Sequence, residues 1–281
     1  MKYLVTAASG QVGSAALKLL SKDGKNEVIG LSHQDLDITN RDDVLNSIIQ
    51  IQPDVVVNTA AMTNVDLCED EVSQAFAINA YGVRNLRVAS EHVKAQLVHI
   101  STDFVFDGNS SRPYTEYDPT NPLSVYAKSK LGGDVEALSY DRGTVLRVAW
   151  VFGNPNGDFF SWVLNGVKDG SVKSVIDDQF STPTFSQDVI PVIEKVCSMR
   201  MYGLINVANS GEASRLDMAL EFLKKLRVEN ELTGIKAASL ARKAPRPNYS
   251  SLSTDLLYKS TNIEMRNWQD TLNDHPLVTG N

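Results

Sequence analysis

Short apolar runs alternate with amphipathic stretches through the first half of the chain. "KYLVTA", "NEVIGLS", "DVVVNTA", "QLVHIST" and "TVLRVAWVF" are each dominated by Val, Ile and Leu. Apolar residues on both faces of a strand suit a parallel sheet covered by helices on either side. Between these runs, helical spacing predicts helices over 12–20, 41–51, 69–92 and 122–138, the last capped by Asn121 with Pro122 at its first position. Strand, helix, strand at this cadence predicts an α/β fold, a doubly wound parallel sheet of Rossmann type. After Phe152 the rhythm weakens, starting with the loop-like "GNPNGDFF". Residues 1–150 are read as a dinucleotide-binding domain. Residues 151–281 are read as a smaller, mainly substrate-binding lobe interleaved with it, part of about 175–207 returning to the first domain. The tail "HPLVTGN" reads as frayed.

The first strand runs into "TAASGQVGS", a glycine turn opening a helix. Gly10 lets the backbone approach a pyrophosphate, and Gly13 lets the helix pack on its strand. Free N–H groups and a partial positive charge at the helix start favour the phosphates. The residue that eases the tight turn is Ala7 rather than glycine. A negative φ there costs little, whereas a positive one costs about 1 kcal/mol or more. The second strand ends in Leu31, Ser32 and His33, with no acidic residue for the ribose of NAD and no arginine for the phosphate of NADP. With no carboxylate to repel a phosphate, NADPH is slightly favoured over NADH.

"NPLSVYAKSKLGGD" places Tyr126 and Lys130 four apart, on one face of a helix. An ammonium beside a phenol stabilises phenolate and moves its titration toward the working pH. Such a tyrosine can protonate a carbonyl oxygen as hydride reaches the carbon. The pair alone is weak, being equally the pattern of a solvated face. Its context strengthens it: "HISTDFVFDG" puts Ser101, Thr102 and Asp103 at a carboxyl-terminal strand edge, where open α/β sheets bind ligands.

Composition narrows the field. With 34 acidic against 27 basic residues the net charge is −7, unlike a nucleic-acid or anionic-membrane surface. No leader and no bilayer-spanning apolar stretch is visible, and a cytoplasmic location is expected. Cys68 and Cys197 are expected as buried structural thiols. His33, His92, His99 and His275 form no ligand pattern, so no metal is predicted, accessory magnesium being left open.

The glycine turn, "STDFVFDG" and "YAKSK", in that order, resemble the extended short-chain dehydrogenase/reductases, and within them most closely the dTDP-4-dehydrorhamnose reductase family. "PDVVVNTAAMTNVD", "RVAWVFG", "VIDDQFSTPTFSQD" and "APRPNYSSLST" extend the resemblance over nearly the whole chain. It implies a reductase of a nucleotide-activated 4-keto deoxy sugar, drawing hydride from NAD(P)H, with a homodimer as the assembly it allows. It implies Gly10, Gln11 and Val12 on the pyrophosphate and Asp37 and Ile38 on the adenine. Ala61, Met62 and Thr63 would flank the inner ribose and nicotinamide, and Lys130 would hold ribose hydroxyls. Tyr126 would be the proton donor, with Thr102 sharing the same oxygen and Asp103 beside the sugar. Trp150 would contact the sugar, and Arg246 the nucleotide diphosphate. Two positions depart from the family pattern: Ala7 for glycine, and Asp158 for asparagine in "GDFF". The competing readings are an epimerase and a non-catalytic NAD(P)-binding subunit of the kind that partners methionine adenosyltransferase. A dehydratase would need a carboxylate where Phe104 follows Asp103, and no G-x-S-x-G elbow supports a hydrolase.

Overall fold

The computed structural model describes residues 1–280. Six strands form one parallel sheet: β1 (Lys2–Thr6), β2 (Glu27–Leu31), β3 (Val55–Asn58), β4 (Gln96–Thr102), β5 (Gly143–Val148) and β6 (Gly203–Asn206), in spatial order 6-5-4-3-1-2. The order reverses between β1 and β3, which opens a crevice at their carboxyl ends, as the doubly wound pattern requires.

Helices α1 (Gln11–Leu20), α2 (Arg41–Ile51), α3 (Gly82–Val93), α4 (Val125–Leu138), α5 (Phe159–Lys168), α6 (Ser186–Ser198) and α7 (Arg215–Leu226) surround the sheet and build the second lobe. Val5, Val57, Val98 and Leu146 pack on one sheet face with Ala16 of α1 and Val189 and Ile193 of α6. On the other face Leu4, Val56 and Leu97 meet Val44, Leu86 and Ala137. Alternate residues of one strand therefore serve both cores, which explains the unbroken apolar runs. A separate aromatic core in the second lobe brings Phe152, Phe160, Phe222 and Trp268 together.

Four local expectations are revised. The helix read from 122 begins at Val125. Ser124 caps it by accepting from the Ala127 N–H, while Asn121 is tied to Val105 and Asp107. The stretch read as one helix over 69–92 runs from Val65 to Val93, with a break at Glu71 and a π turn at Ala77–Tyr81. In that turn the Asn79 amide is drawn inward, bonded to both backbone groups of Met62 and to Ser129. "TVLRVAWVF" is broken at Trp150, whose φ of 42° ends the strand, so Val151–Phe152 pairs with Thr184–Phe185 outside the main sheet. The tail is anchored rather than frayed. His275 is wholly buried and caps a short helix, Pro276–Thr279, although Asn281 lies outside the described residues.

Candidate active site

The crevice opens into a cavity of about 550 Å³ that lies just beyond the ends of β1 and β3 and touches β4, β5, α1, α4 and the Trp150 turn. Gly10, Gln11, Val12, Ala61, Thr63, Thr102, Asp103, Tyr126, Lys130 and Trp150, all expected from sequence, line it together. The other four expected residues do not. Asp37 is exposed and bonded to Thr39, and Ile38 is buried against Gly82. Met62 has both backbone polar groups on Asn79. Arg246 lies in the wall of a second, outer cavity.

At the glycine turn, Gly10 caps α1 with no side-chain hydrogen bond and no acidic residue follows in the first turn. The first intrahelical bond is from the Ser14 N–H to the Gly10 carbonyl. The three preceding N–H groups are left for a ligand. α2 is the contrast, with an Asn40 cap and Asp42 and Asp43 in its first turn. The buried Gln11 Oε1 has no partner, a further polar atom open to a bound group. A side chain at Gly13 would come within 2.5 Å of the Ala7 carbonyl, so glycine there is obligatory. Ala7 takes φ 46°, the left-handed conformation natural to glycine. Its methyl lines the cavity without closing it. These residues fit a dinucleotide pyrophosphate.

Tyr126 is held on α4 and edge-packed against Phe104, ring centres 6.0 Å apart. Burial raises its phenol above the ordinary range, an effect opposed by the neighbouring Thr102 hydroxyl. The expectation that Lys130 draws the phenol down is not met in the chain itself. Lys130 Nζ instead donates to the Ile100 carbonyl at 2.7 Å and lies 3.3 Å from His99 Nε2. Burial lowers Lys130 to about 8. A phenol kept protonated is the form a reductase needs in its acid.

The Thr102 hydroxyl donates to Asp103 at 3.1 Å, and Ser181 and Ser250 donate to the other carboxylate oxygen. Burial nonetheless raises Asp103 to about 6. Its carboxylate thus ties Ser181 and Ser250 to the end of β4 at the cavity wall.

The outer cavity, about 500 Å³, shares Phe104, Trp150 and Arg215 with the first and adds Trp162, Gln179, Arg242 and Arg246. Arg246 forms a two-pronged pair with Asp66, at 2.7 and 3.1 Å. Among the described residues Arg215 and Arg242 have no carboxylate within salt-bridge distance, and burial lowers both, Arg215 to about 10. Arg215 was not expected. It occupies the first position of α7, within the Ser214–Asp217 capping box. A cation there opposes the helix dipole, and the sequence offered only the look of an exposed helix start. Ser181 and Ser250 also escaped notice, because their meeting with Asp103 is made only by the tertiary fold.

Among the described residues there is no cluster of three His, Cys, Asp or Glu side chains that could hold a metal, and no helix long and apolar enough to cross a membrane. Cys68 and Cys197 are both buried, and burial raises both thiols.

A Rossmann sheet, a pyrophosphate turn and a Tyr–Lys–Thr group in one crevice define a nicotinamide-dependent oxidoreductase. The comparisons agree. Residues 1–276 match the family model of the RmlD substrate binding domain, and the chain belongs to that family. It is 34% identical to the spore coat polysaccharide biosynthesis protein SpsK of Bacillus subtilis, over 98% of this chain and 96% of that one. The dTDP-4-dehydrorhamnose reductase of Clostridium acetobutylicum superposes with a TM-score of 0.95 at 35% identity, both chains fully covered. The Bacillus anthracis enzyme of the same name, solved with NADP, gives 0.94 at 28% over 98% of each chain.

Proposed function

We infer that this chain reduces the C4 ketone of a nucleotide-activated 4-keto-6-deoxy sugar, with dTDP-4-dehydro-L-rhamnose as substrate and dTDP-L-rhamnose as product. The observation that carries this reading is the joining of two cavities at Trp150 and Arg215, one lined by the acid group, the other by arginines. Bound NAD(P)H supplies the hydride. Gly10, Gln11 and Val12 would hold its pyrophosphate, Ala61 and Thr63 its inner half, and Lys130 its ribose hydroxyls.

Tyr126 gives its proton to the ketone oxygen as the alkoxide develops, and Thr102, its hydroxyl swung from Asp103, hydrogen-bonds the same atom. Trp150 walls the sugar. Its positive φ is strained for a bulky residue and turns the indole across the junction of the two cavities. Among the described residues Arg215 and Arg242 are cations without a carboxylate partner, as a diphosphate dianion requires, while Arg246 is already matched by Asp66. Remote binding of the diphosphate orients the ring for reaction. The three polar groups of the acid site are all present, which argues for catalysis over a purely regulatory cofactor-binding role.

The test is to follow NADPH and NADH absorbance with dTDP-4-keto-6-deoxy-L-mannose generated in situ, against dTDP-glucose. Oxidation with the keto sugar alone supports the reading. Tight cofactor binding with no turnover across several keto sugars overturns it.

A further inference from the structure

Behind Lys130 a hydrogen-bonded row crosses three neighbouring strands. Thr6 of β1 is in register with Asn58 of β3, and Asn58 with His99 of β4. All three side chains are buried, as is Lys130. The row has a readable direction. Asn58 Oδ1 receives the Thr6 hydroxyl at 2.7 Å and the Ala60 N–H at 3.1 Å, while Thr6 Oγ1 itself receives the Thr59 N–H. The other amide atom of Asn58 is therefore the nitrogen, and it donates to His99 Nδ1 at 3.0 Å. Complete burial holds the imidazole neutral. A neutral imidazole accepting at Nδ1 carries its single proton on Nε2.

That proton faces Lys130 Nζ, 3.3 Å away. An N–H cannot be accepted by an ammonium, which has no lone pair. It can be accepted by an amine, whose remaining hydrogens still serve the Ile100 carbonyl at 2.7 Å. Gly133 permits this approach, since a side chain there would come within 3.0 Å of His99 Nε2.

We propose that His99, fixed by Asn58 and Thr6 with its proton on Nε2, is a positioning residue that favours the amine form of Lys130. The proposal rests on the role given to Lys130 above. Its consequence is a way to restore the acid between turnovers. The Tyr126 O–H bond breaks as the ketone oxygen takes the proton. The phenolate then recovers a proton from the ammonium form of Lys130 by way of water in the cavity, since Nζ itself is turned to the Ile100 carbonyl and His99. The resulting amine is held by the imidazole N–H and recovers a proton from water in the cavity. Asp134 on α4 is the other ionisable group acting on Lys130, with Arg147 of β5 beside it. Asp103 and Cys68 act on Tyr126 on the same helix, and Glu69 of the Val65–Asp70 helix packs at its start. Asp134 favours the ammonium but is paired with Arg147 at 3.1 Å. Glu69 accepts from the Val125 N–H at the other end of α4.

The experiment uses the full chain labelled with ¹⁵N-histidine and ¹³C-lysine, without added nucleotide. Ring ¹⁵N shifts read the His99 tautomer. The lysine signal missing from Lys130→Arg reads the Lys130 titration. Asn58→Asp keeps both bonds to Oδ1 but now accepts from His99. It should move the proton to Nδ1 and raise the Lys130 midpoint by roughly one pH unit or more. His99→Gln, which returns an amide N–H to the Nε2 position, should leave the midpoint near that of the wild type. If Asn58→Asp does not fold, His99→Leu should raise the midpoint. A wild-type proton on Nδ1, or a midpoint unmoved in the folded variant, overturns the proposal. Absence of keto-sugar turnover alongside the expected shifts would instead count against the reductase reading alone.

Discussion

The Arg215 guanidinium lies 3.8 Å from the centre of the Trp150 indole and 5.0 Å from that of the Phe159 ring, at the point where the two cavities meet. A guanidinium held over an aromatic face keeps its N–H groups available for phosphate oxygens. Arg215→Ala should therefore raise KM for the nucleotide sugar roughly tenfold or more, the scale of one lost charge-assisted contact. Affinity for the cofactor should hardly change. Steady-state kinetics with each substrate varied in turn separates the two. An equal loss toward both would place Arg215 outside the sugar-nucleotide site.

The carboxylate absent from the end of β2 in sequence is supplied by the fold. Asp35 turns back, and its Oδ2 accepts both the Ser32 N–H at 2.8 Å and the Ser32 hydroxyl at 2.6 Å. The Ser32 hydrogen bonds hold this exposed carboxyl below its usual range. An anion at this edge would oppose a ribose phosphate, against the slight lean to NADPH read from the sequence. Asp35→Ala should shift the NADPH-to-NADH affinity ratio upward by about tenfold. Fluorescence titration of both nucleotides measures it, and an unchanged ratio would show that Asp35 does not face the ribose.

Asp158 holds the second lobe to the tail. Its Oδ1 accepts from the Ser161 N–H, and its Oδ2 from the Gly153 N–H and His275 Nε2, each at 2.9 Å. His275 Nδ1 accepts from the Leu277 N–H, so Nε2 is the protonated nitrogen. Burial alone would raise Asp158; the hydrogen bonds from His275, Gly153 and Ser161 overcome it and hold the carboxyl below its usual range. A depressed carboxyl contributes stability above its unfolded value of about 3.9, and that contribution fades as pH falls through the folded value. Asp158→Asn must turn an NH₂ toward a donor whichever way it is placed. It should cost about 1–3 kcal/mol at neutral pH, less in acid, by denaturant titration across pH. Equal loss at every pH would refute the ionic account.

Ala7 stores strain in the turn. Its left-handed φ costs an alanine about 1–2 kcal/mol, partly offset by the greater unfolded-state freedom of glycine. Ala7→Gly should thus stabilise the chain by roughly 0.5–1 kcal/mol and retain nucleotide binding. Destabilisation would mean that the alanine methyl makes a contact worth more than the strain it causes.

The sheet was legible because its strands are apolar on both faces, as in "DVVVNTA", and the glycine turn because it follows one of them. Tyr126, Lys130 and Thr102 were legible through order along the chain. What stayed hidden depends on contacts between distant segments. Asp103 meets Ser181 and Ser250 only after the second lobe folds over β4, and no spacing announces it. His99 reads as one polar residue within an apolar strand until its register with Asn58 is known. The start of α4 was misplaced because Asn121-Pro122 is a good opening by local rule. The tie of Asn121 to Val105 and Asp107 keeps that segment out of the helix and leaves the cap to Ser124.

Single-turnover reduction by Tyr126→Phe reaches the central claim most directly. The substitution removes one oxygen and preserves the ring packing against Phe104. The account predicts hydride transfer slowed by roughly 10²-fold or more, with NADPH affinity unchanged. A rate equal to that of the unaltered chain would contradict it.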